Sequence, residues 1–257
     1  MYIAQTHSTN TLMRERYLDE ANLFTIRTGY QTAGRGQQGN GWESEEGKNL
    51  LFSTLLKDPP VSAEYQFRIS MAVSVALFDA VTAIASPLRH PLAIKWPNDL
   101  YAGDEKLSGM LIENILAGNR ISRSIIGVGL NVNQTVWTGN APNPTSLLLQ
   151  TGNNTDMEAL LESFLSSLPL RLASPETTRT LYMQRLYRRE GRHLYQPREV
   201  SLQPTMNAPL PSEQAFEAEI ADVTDNGELV LQLHSGEKRT FHFKQIRYVI
   251  ENHSSRT

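Results

Sequence analysis

Four glycines stand within eight residues in Gly34-Arg35-Gly36-Gln37-Gln38-Gly39-Asn40-Gly41, and the segment after them constrains the fold more than any other stretch. The first six of these residues match the dinucleotide-binding spacing G-x-G-x-x-G. That fingerprint works only if a helix starts at the glycines, so that its N-terminus faces a pyrophosphate. Here Asn40-Gly41 prolongs the turn, Trp42 comes next, and the next regular pattern is the apolar run NLLFSTLL (49–56), which reads as a buried strand. A glycine turn that leads into a strand excludes the doubly wound dinucleotide fold. The chain also lacks G-K-[ST], which excludes a phosphate loop. What remains is a loop whose glycine amides can approach an anion, whose Arg35 can pair with a carboxylate or phosphate, and whose Trp42 can stack on a base.

Around this loop, helical and extended patterns alternate through the first 190 residues. Ser8, Thr9 and Asn10 offer cap side chains for a helix in which Met13, Tyr17, Leu18 and Ala21 recur at helical spacing. The run LFTIRT (23–28) reads as a strand, Tyr65 to Ala85 as a long core helix and LAIKW (92–96) as a short strand. LSGMLIENIL (107–116) and SIIGVGLNVN (124–133) read as a hairpin turning at GNR. Residues 134–154, rich in turn formers, read as a loop. A capping box from Thr155 to Glu158 then starts a helix, and Ser174-Pro175 starts another that should end near Gly191. Beyond it the period changes to two, with Phe216/Ala218/Ile220, Leu229/Leu231/Leu233 and Phe241/Phe243 separated by the turns DNG and HSGE. The expectation is an α+β chain of two units, residues 1–190 with a largely hairpin-connected sheet and residues 191–257 as a small β-barrel.

Composition narrows the chemistry. The 257 residues include no cysteine, which removes disulfides, thiolate zinc sites and cysteine nucleophiles together. His7, His90, His193, His234, His242 and His253 are scattered without ligand spacing, so no protein-held metal site is expected. A net charge of −3 argues against nucleic-acid binding, and the run Arg185, Arg188, Arg189, Arg192 reads as the solvated end of a helix. The N-terminal MYIAQTHSTN has neither a positive flank nor an apolar core, so no secretory signal and a cytoplasmic location are expected. Arg68, Ser70, Ser74 and Asp79 interrupt the long apolar helix, which argues for a protein core rather than a membrane.

Lys95-Trp96-Pro97-Asn98-Asp99 ends a strand, and Lys106 stands before the small residues Ser108 and Gly109. A lysine there can bring its ammonium to a reacting phosphate with no bulky side chain in the way. Together with Ser8-Thr9-Asn10, Gln31, Ala33-Gly34-Arg35-Gly36, Gly39, Trp42, Lys106 to Leu111 and Gly127 to Asn131, these residues resemble the ordered motif set of bacterial biotin protein ligases. The resemblance runs over about the first 150 residues.

The resemblance implies a class II aminoacyl-tRNA synthetase-like catalytic fold, a mixed, largely antiparallel sheet with flanking helices, followed by a small SH3-like barrel. It implies a two-step reaction in which biotin and ATP give biotinyl-5'-AMP, and a lysine of a biotin carboxyl carrier protein then takes the biotinyl group. Mg2+ would arrive with ATP rather than in a protein metal site. Ser8, Thr9, Asn10 and Gln31 would hydrogen-bond the ureido ring and its surroundings, with Gly34, Gly36, Gln37 and Gly109 beside biotin. Arg35 and Lys106 would be the catalytic cations, holding the biotin carboxylate and the α-phosphate. Trp42 would stack on or border the adenine, with Gln37 and Gln38 near the nucleotide. Asn98, Asp99 and Asn131 would line the nucleotide and magnesium side, Asp99 as an orienting or acceptor-contacting carboxylate. Two features depart from the family. Gln37, Gln38 and Asn40 stand where its loop usually carries basic residues, and the first motif begins at residue 8, where regulatory members place a DNA-binding helix-turn-helix ahead of it. A ligase without DNA binding or a membrane anchor, possible as a homodimer, is the expectation. The alternatives are a lipoate or octanoyl protein ligase, which shares the catalytic fold, and a non-catalytic biotin- or nucleotide-binding module.

Overall fold

The computed structural model describes residues 1–36, 40–139, 143–198 and 214–250. Gln37, Gln38 and Gly39, expected at the biotin and ATP sites, lie outside the described residues. Seven strands form the larger sheet: β1 (Tyr2–Thr6), β2 (Thr25–Gln31), β3 (Leu50–Lys57), β4 (Leu92–Lys95), β5 (Asp99–Ala102), β6 (Glu105–Ala117) and β7 (Arg120–Leu130). Their order is β1-β2-β3-β7-β6-β5-β4. β1 and β2 are parallel and the other neighbours antiparallel, so the architecture is α+β with a mixed, largely antiparallel sheet.

The faces of this sheet are covered differently, and that asymmetry makes the site. On one face lie α2 (Phe67–Ala85) and, behind it, α4 (Met157–Ala173) and α5 (Pro175–Gln184), sealing a core that includes Phe52, Met110, Val128 and Phe164. α2 is long and apolar enough to cross a membrane, but it is buried along most of its length, as expected of a core helix. On the other face, among the described residues, the short α1 (Thr9–Arg16) packs through a small cluster of Met13, Ile26, Leu55 and Ile125. The rest of that face, over β6 and β7, is left to the glycine loop.

The C-terminal residues form a second, five-stranded antiparallel sheet of β8 (His193–Pro197), β9 (Phe216–Val223), β10 (Leu229–Leu233), β11 (Lys238–Phe241) and β12 (Ile246–Tyr248), in the order β11-β10-β9-β8-β12. Ala218, Ile220, Leu229 and Leu231 point inward as their period of two requires, and they join the same apolar core as α2.

Several elements depart from the expectations. β1, β5, β8 and β12 form although none of them was expected. β1 is mostly exposed and shows little alternation, and β5 is four residues long and pairs straight back onto β4 across Trp96–Asn98. The loop at 134–154 contains a short helix, α3 (Leu147–Thr151), capped by Ser146 and closed by Gly152 at φ 76°. Asp156 rather than Thr155 caps α4, accepting from the amides of Glu158 and Ala159. Ser8 holds the cap position of α1 without a side-chain cap bond. α5 stops at Gln184, not near Gly191, because Arg185–Tyr187 leave the helix to exchange backbone hydrogen bonds with Ile94 at the sheet edge. The arginines beyond it are therefore not a solvated helix end. Arg185 pairs with Asp79 at 2.7 Å, and Arg188 and Arg189 donate to the carbonyls of Val249 and Ile220.

Candidate active site

A cleft opens on the half-covered face, and its floor is a pair of glycines. Gly109 of β6 and Gly129 of β7 sit directly opposite each other. With no side chains there, the indole of Trp42 lies against the strands, so that a Cβ at Gly109 would come within 2.8 Å of the ring and one at Gly129 within 2.6 Å of Nε1. The indole Nε1 is buried with no hydrogen-bond partner among the described residues. A donor left so costs about 1–3 kcal/mol, which a ligand acceptor would recover. The glycine loop that carries Trp42 closes on itself, with Gly36 N donating to Asn40 O and Trp42 N to Gly34 O.

At one end of the floor the start of α1 turns polar groups inward. Gln31 Oε1 accepts from the Thr9 amide at 2.8 Å and from its hydroxyl at 3.2 Å, the service a cap side chain would otherwise perform. Ser53 Oγ of β3 lies within hydrogen-bond reach of both Thr9 Oγ1 and Asn10 Oδ1, its single proton serving one of them at a time, while Asn10 Nδ2 donates to Leu111 O and Glu113. Asn10 rests on Gly127, where any side chain would collide with its carboxamide. The result is a buried, rigid group of hydrogen-bonding atoms.

Two cations flank the floor. Lys106 Nζ is 2.6 Å from Asp99 Oδ2 and 5.9 Å from the centre of the Trp42 ring. A bulge in the β5–β6 pairing makes Leu107 the extra residue beside Lys106, the kind of irregularity that re-aims a side chain. Arg35 is 3.5 Å from Glu113, which also pairs with Arg14. Both cations rest on protein carboxylates that an anionic ligand could replace. Lys95, on the strand leading to Asp99, is sandwiched between the rings of Tyr101 and Tyr248. Burial lowers its pKa and the nearby Asp99 opposes that shift.

The cleft thus brings together Ser8, Thr9, Asn10, Gln31, Arg35, Gly36, Trp42, Asn98, Asp99, Lys106 and Gly109 from the expected set. Gly34 stands behind Trp42 rather than on the lining, a Cβ there falling 2.5 Å from the Trp42 carbonyl. Asn131 is likewise set back, buried with Nδ2 on Thr145 O and bracing the chain after β7. The residues missed were Ser53, Glu113, Glu43 and Phe243. Ser53 and Thr54 are both polar and buried inside an otherwise apolar strand, and Ser53 is the one that reaches the site. Glu43 is a latch: its carboxylate accepts from the amides of Thr138 and Gly139 and from the Thr138 hydroxyl, tying the glycine loop to the chain after β7. The Thr138 amide is the main cause of its lowered pKa.

Residues 2–131, half of the chain, match the model of the Biotin/lipoate A/B protein ligase family. The chain belongs to this family. The matched stretch holds the described cleft lining except Phe243. Among relatives of this ligase family, the biotin--[acetyl-CoA-carboxylase] ligase of Mycobacterium tuberculosis is 32% identical over 148 residues, covering 57% of this chain and 53% of the relative. The chain therefore spans about half of that relative's length. A second ligase of the same description, from Paracoccus denitrificans, is 29% identical over 164 residues, covering 62% of this chain and 67% of the relative. The fold agrees across nearly all of both chains with the biotin protein ligase from Aquifex aeolicus in complex with biotin and ATP, at a TM-score of 0.73, 21% identity and coverage of 97% and 98%.

Proposed function

We propose that this family member is a biotin protein ligase. It activates biotin with ATP to biotinyl-5'-AMP and passes the biotinyl group to a lysine of a biotin carboxyl carrier protein. The observation that carries this reading is the polar group at Thr9, Asn10, Gln31 and Ser53 beside a glycine floor flanked by Arg35 and Lys106. Biotin's urea can use those donors and acceptors. The dithiolane of lipoate offers no comparable donors or acceptors and would gain nothing from these groups, which already pair with one another. In this reading residues 1–190 carry the chemistry, residues 191–257 form the small C-terminal unit, and the reaction occurs in the cytoplasm, where ATP and carrier meet.

In the first step a biotin carboxylate oxygen attacks the α-phosphorus and pyrophosphate leaves. Two anions must be held together, so Arg35 and Lys106 exchange Glu113 and Asp99 for substrate oxygens and stabilise the charge that builds on the phosphorus. Mg2+ fits as a companion of ATP. No group of three His, Asp or Glu side chains able to hold a metal occurs among the described residues, and Asp99 with Asn98 supplies oxygen donors of the kind Mg2+ takes alongside phosphates. When bound it would neutralise phosphate charge. Trp42 and the loop, latched by Glu43, exclude water from the adenylate.

The deciding experiment is ATP–pyrophosphate exchange with each acid supplied separately. Exchange that depends on biotin is expected; exchange with lipoate alone would reassign the protein within the family, and none with either would make it a binding module. Gly127→Ala is expected to displace Asn10 and weaken biotin binding by about tenfold, the size of one lost buried hydrogen bond or more. Calorimetric titration showing unaltered affinity would remove Asn10 from the biotin site.

A further inference from the structure

Glu113 serves two arginines through one oxygen. It stands on β6 four residues beyond Gly109, so the strand period of two places it on the same face as the glycine floor. Its side chain is only 17% exposed. Oε2 accepts from Asn10 Nδ2 at 2.9 Å. Oε1 meets both guanidiniums, Arg14 at 3.1 Å and Arg35 at 3.5 Å. Asn10 and Arg14 are four residues apart on α1, close to one turn, so the helix delivers both to the same carboxylate.

An ion pair whose cation is half open to water, as Arg14 is, contributes little by itself. Its worth appears when Arg35 leaves. A mostly enclosed carboxylate resists giving up its cation, because a charge shielded from water is costly without a counter-charge. With Arg14 already on Oε1, Glu113 keeps a cation after Arg35 has gone. Two guanidiniums on one oxygen also repel each other, which favours the departure of the more distant one.

We propose that Arg14 is a positioning residue that holds Glu113 and so releases Arg35 to the carboxylate of biotin; this rests on the ligase reading above. Arg14 is not among the described residues of the cleft lining, and it acts through Glu113 rather than on the substrate. The same carboxylate fixes Asn10, so α1 couples the polar group for the urea to the cation for the carboxylate at the other end of the ligand.

The test compares biotin with its methyl ester, which keeps the urea and lacks the negative charge. Both are titrated by calorimetry into wild type, Arg14→Met, Arg14→Lys, Glu113→Gln and the double variant Arg14→Met/Glu113→Gln. Arg14→Met is expected to weaken biotin about fivefold, the upper end for a pair half open to water, and to leave the ester within about twofold of wild type. Arg14→Lys, which keeps the charge, should restore biotin affinity. In the Glu113→Gln background Arg14→Met should cost nothing further, as required of a residue that acts through Glu113. Unchanged biotin affinity in Arg14→Met, an equal loss for biotin and ester, or a loss that persists without Glu113 would each overturn the role of Arg14. Absence of biotin-dependent pyrophosphate exchange in the wild type would instead overturn the ligase reading itself.

Discussion

Lys106→Ala is expected to lower the rate of adenylate formation by about two to three decades, while biotin binding changes far less. The scale is that of one preorganised donor lost from a transition state, about 3–4 kcal/mol. The asymmetry comes from what Lys106 touches. In the structure its ammonium is held by Asp99 at 2.6 Å and lies over the edge of the glycine floor, away from the polar group at Thr9, Asn10 and Gln31. Its charge is most useful when the phosphorus becomes pentacoordinate. Removing it also leaves Asp99, only 21% exposed, facing the incoming triphosphate without a counter-charge, which raises the barrier further. Single-turnover adenylation by rapid quench, with biotin affinity measured in parallel, is the check. A rate within a factor of about two of wild type would remove Lys106 from the chemistry, because a lost charged donor costs more than that. Arg35→Ala, which removes a cation nearer the biotin side, should depress affinity and rate together.

Phe52→Ala is expected to destabilise the fold by about 3–5 kcal/mol, a large share of what a domain possesses. Phe52 is fully buried on β3 and meets the Phe164 ring of α4 edge-on at 5.2 Å. It joins the sheet to the helical layer, and a close-packed core relaxes only partly into the space of a lost phenyl ring. The next residue, Ser53, points to the opposite face and orients Thr9 and Asn10. A loosened β3 should therefore cost biotin affinity as well as stability. Urea unfolding with a loss below about 1 kcal/mol would show that the layer packs without this contact.

The chemistry of the cleft was largely legible because it is carried by residue types that have few other uses in such settings. Arg35 among glycines, Trp42 at the loop end, and Lys106 before Ser108 and Gly109 announce an anion site wherever the chain happens to fold. The glycines of β6 and β7 were legible as small residues, but their opposition across the strands was not. Periodicity likewise revealed α2, α4 and the strands β2, β3, β4, β6, β7, β9, β10 and β11, because an element's own pattern records which of its faces is buried.

The sequence by itself determined the α+β class, the absence of a dinucleotide fold and most of the side chains that line the cleft. The tertiary structure decided which polar residues meet. Ser53 joins Thr9 and Asn10, Glu113 takes Arg35, Asn131 is set back behind the cleft, and Phe243 crosses from the second sheet to complete its wall. It also decided where elements stop, since Arg185–Tyr187 abandon α5 to pair with Ile94, and β5 exists only because β4 and β6 flank it. The reason is one of range: a sequence pattern reports each segment's preference between water and an apolar interior, whereas hydrogen-bond partners and strand neighbours are chosen between segments far apart in the chain, by the geometry of the assembled core.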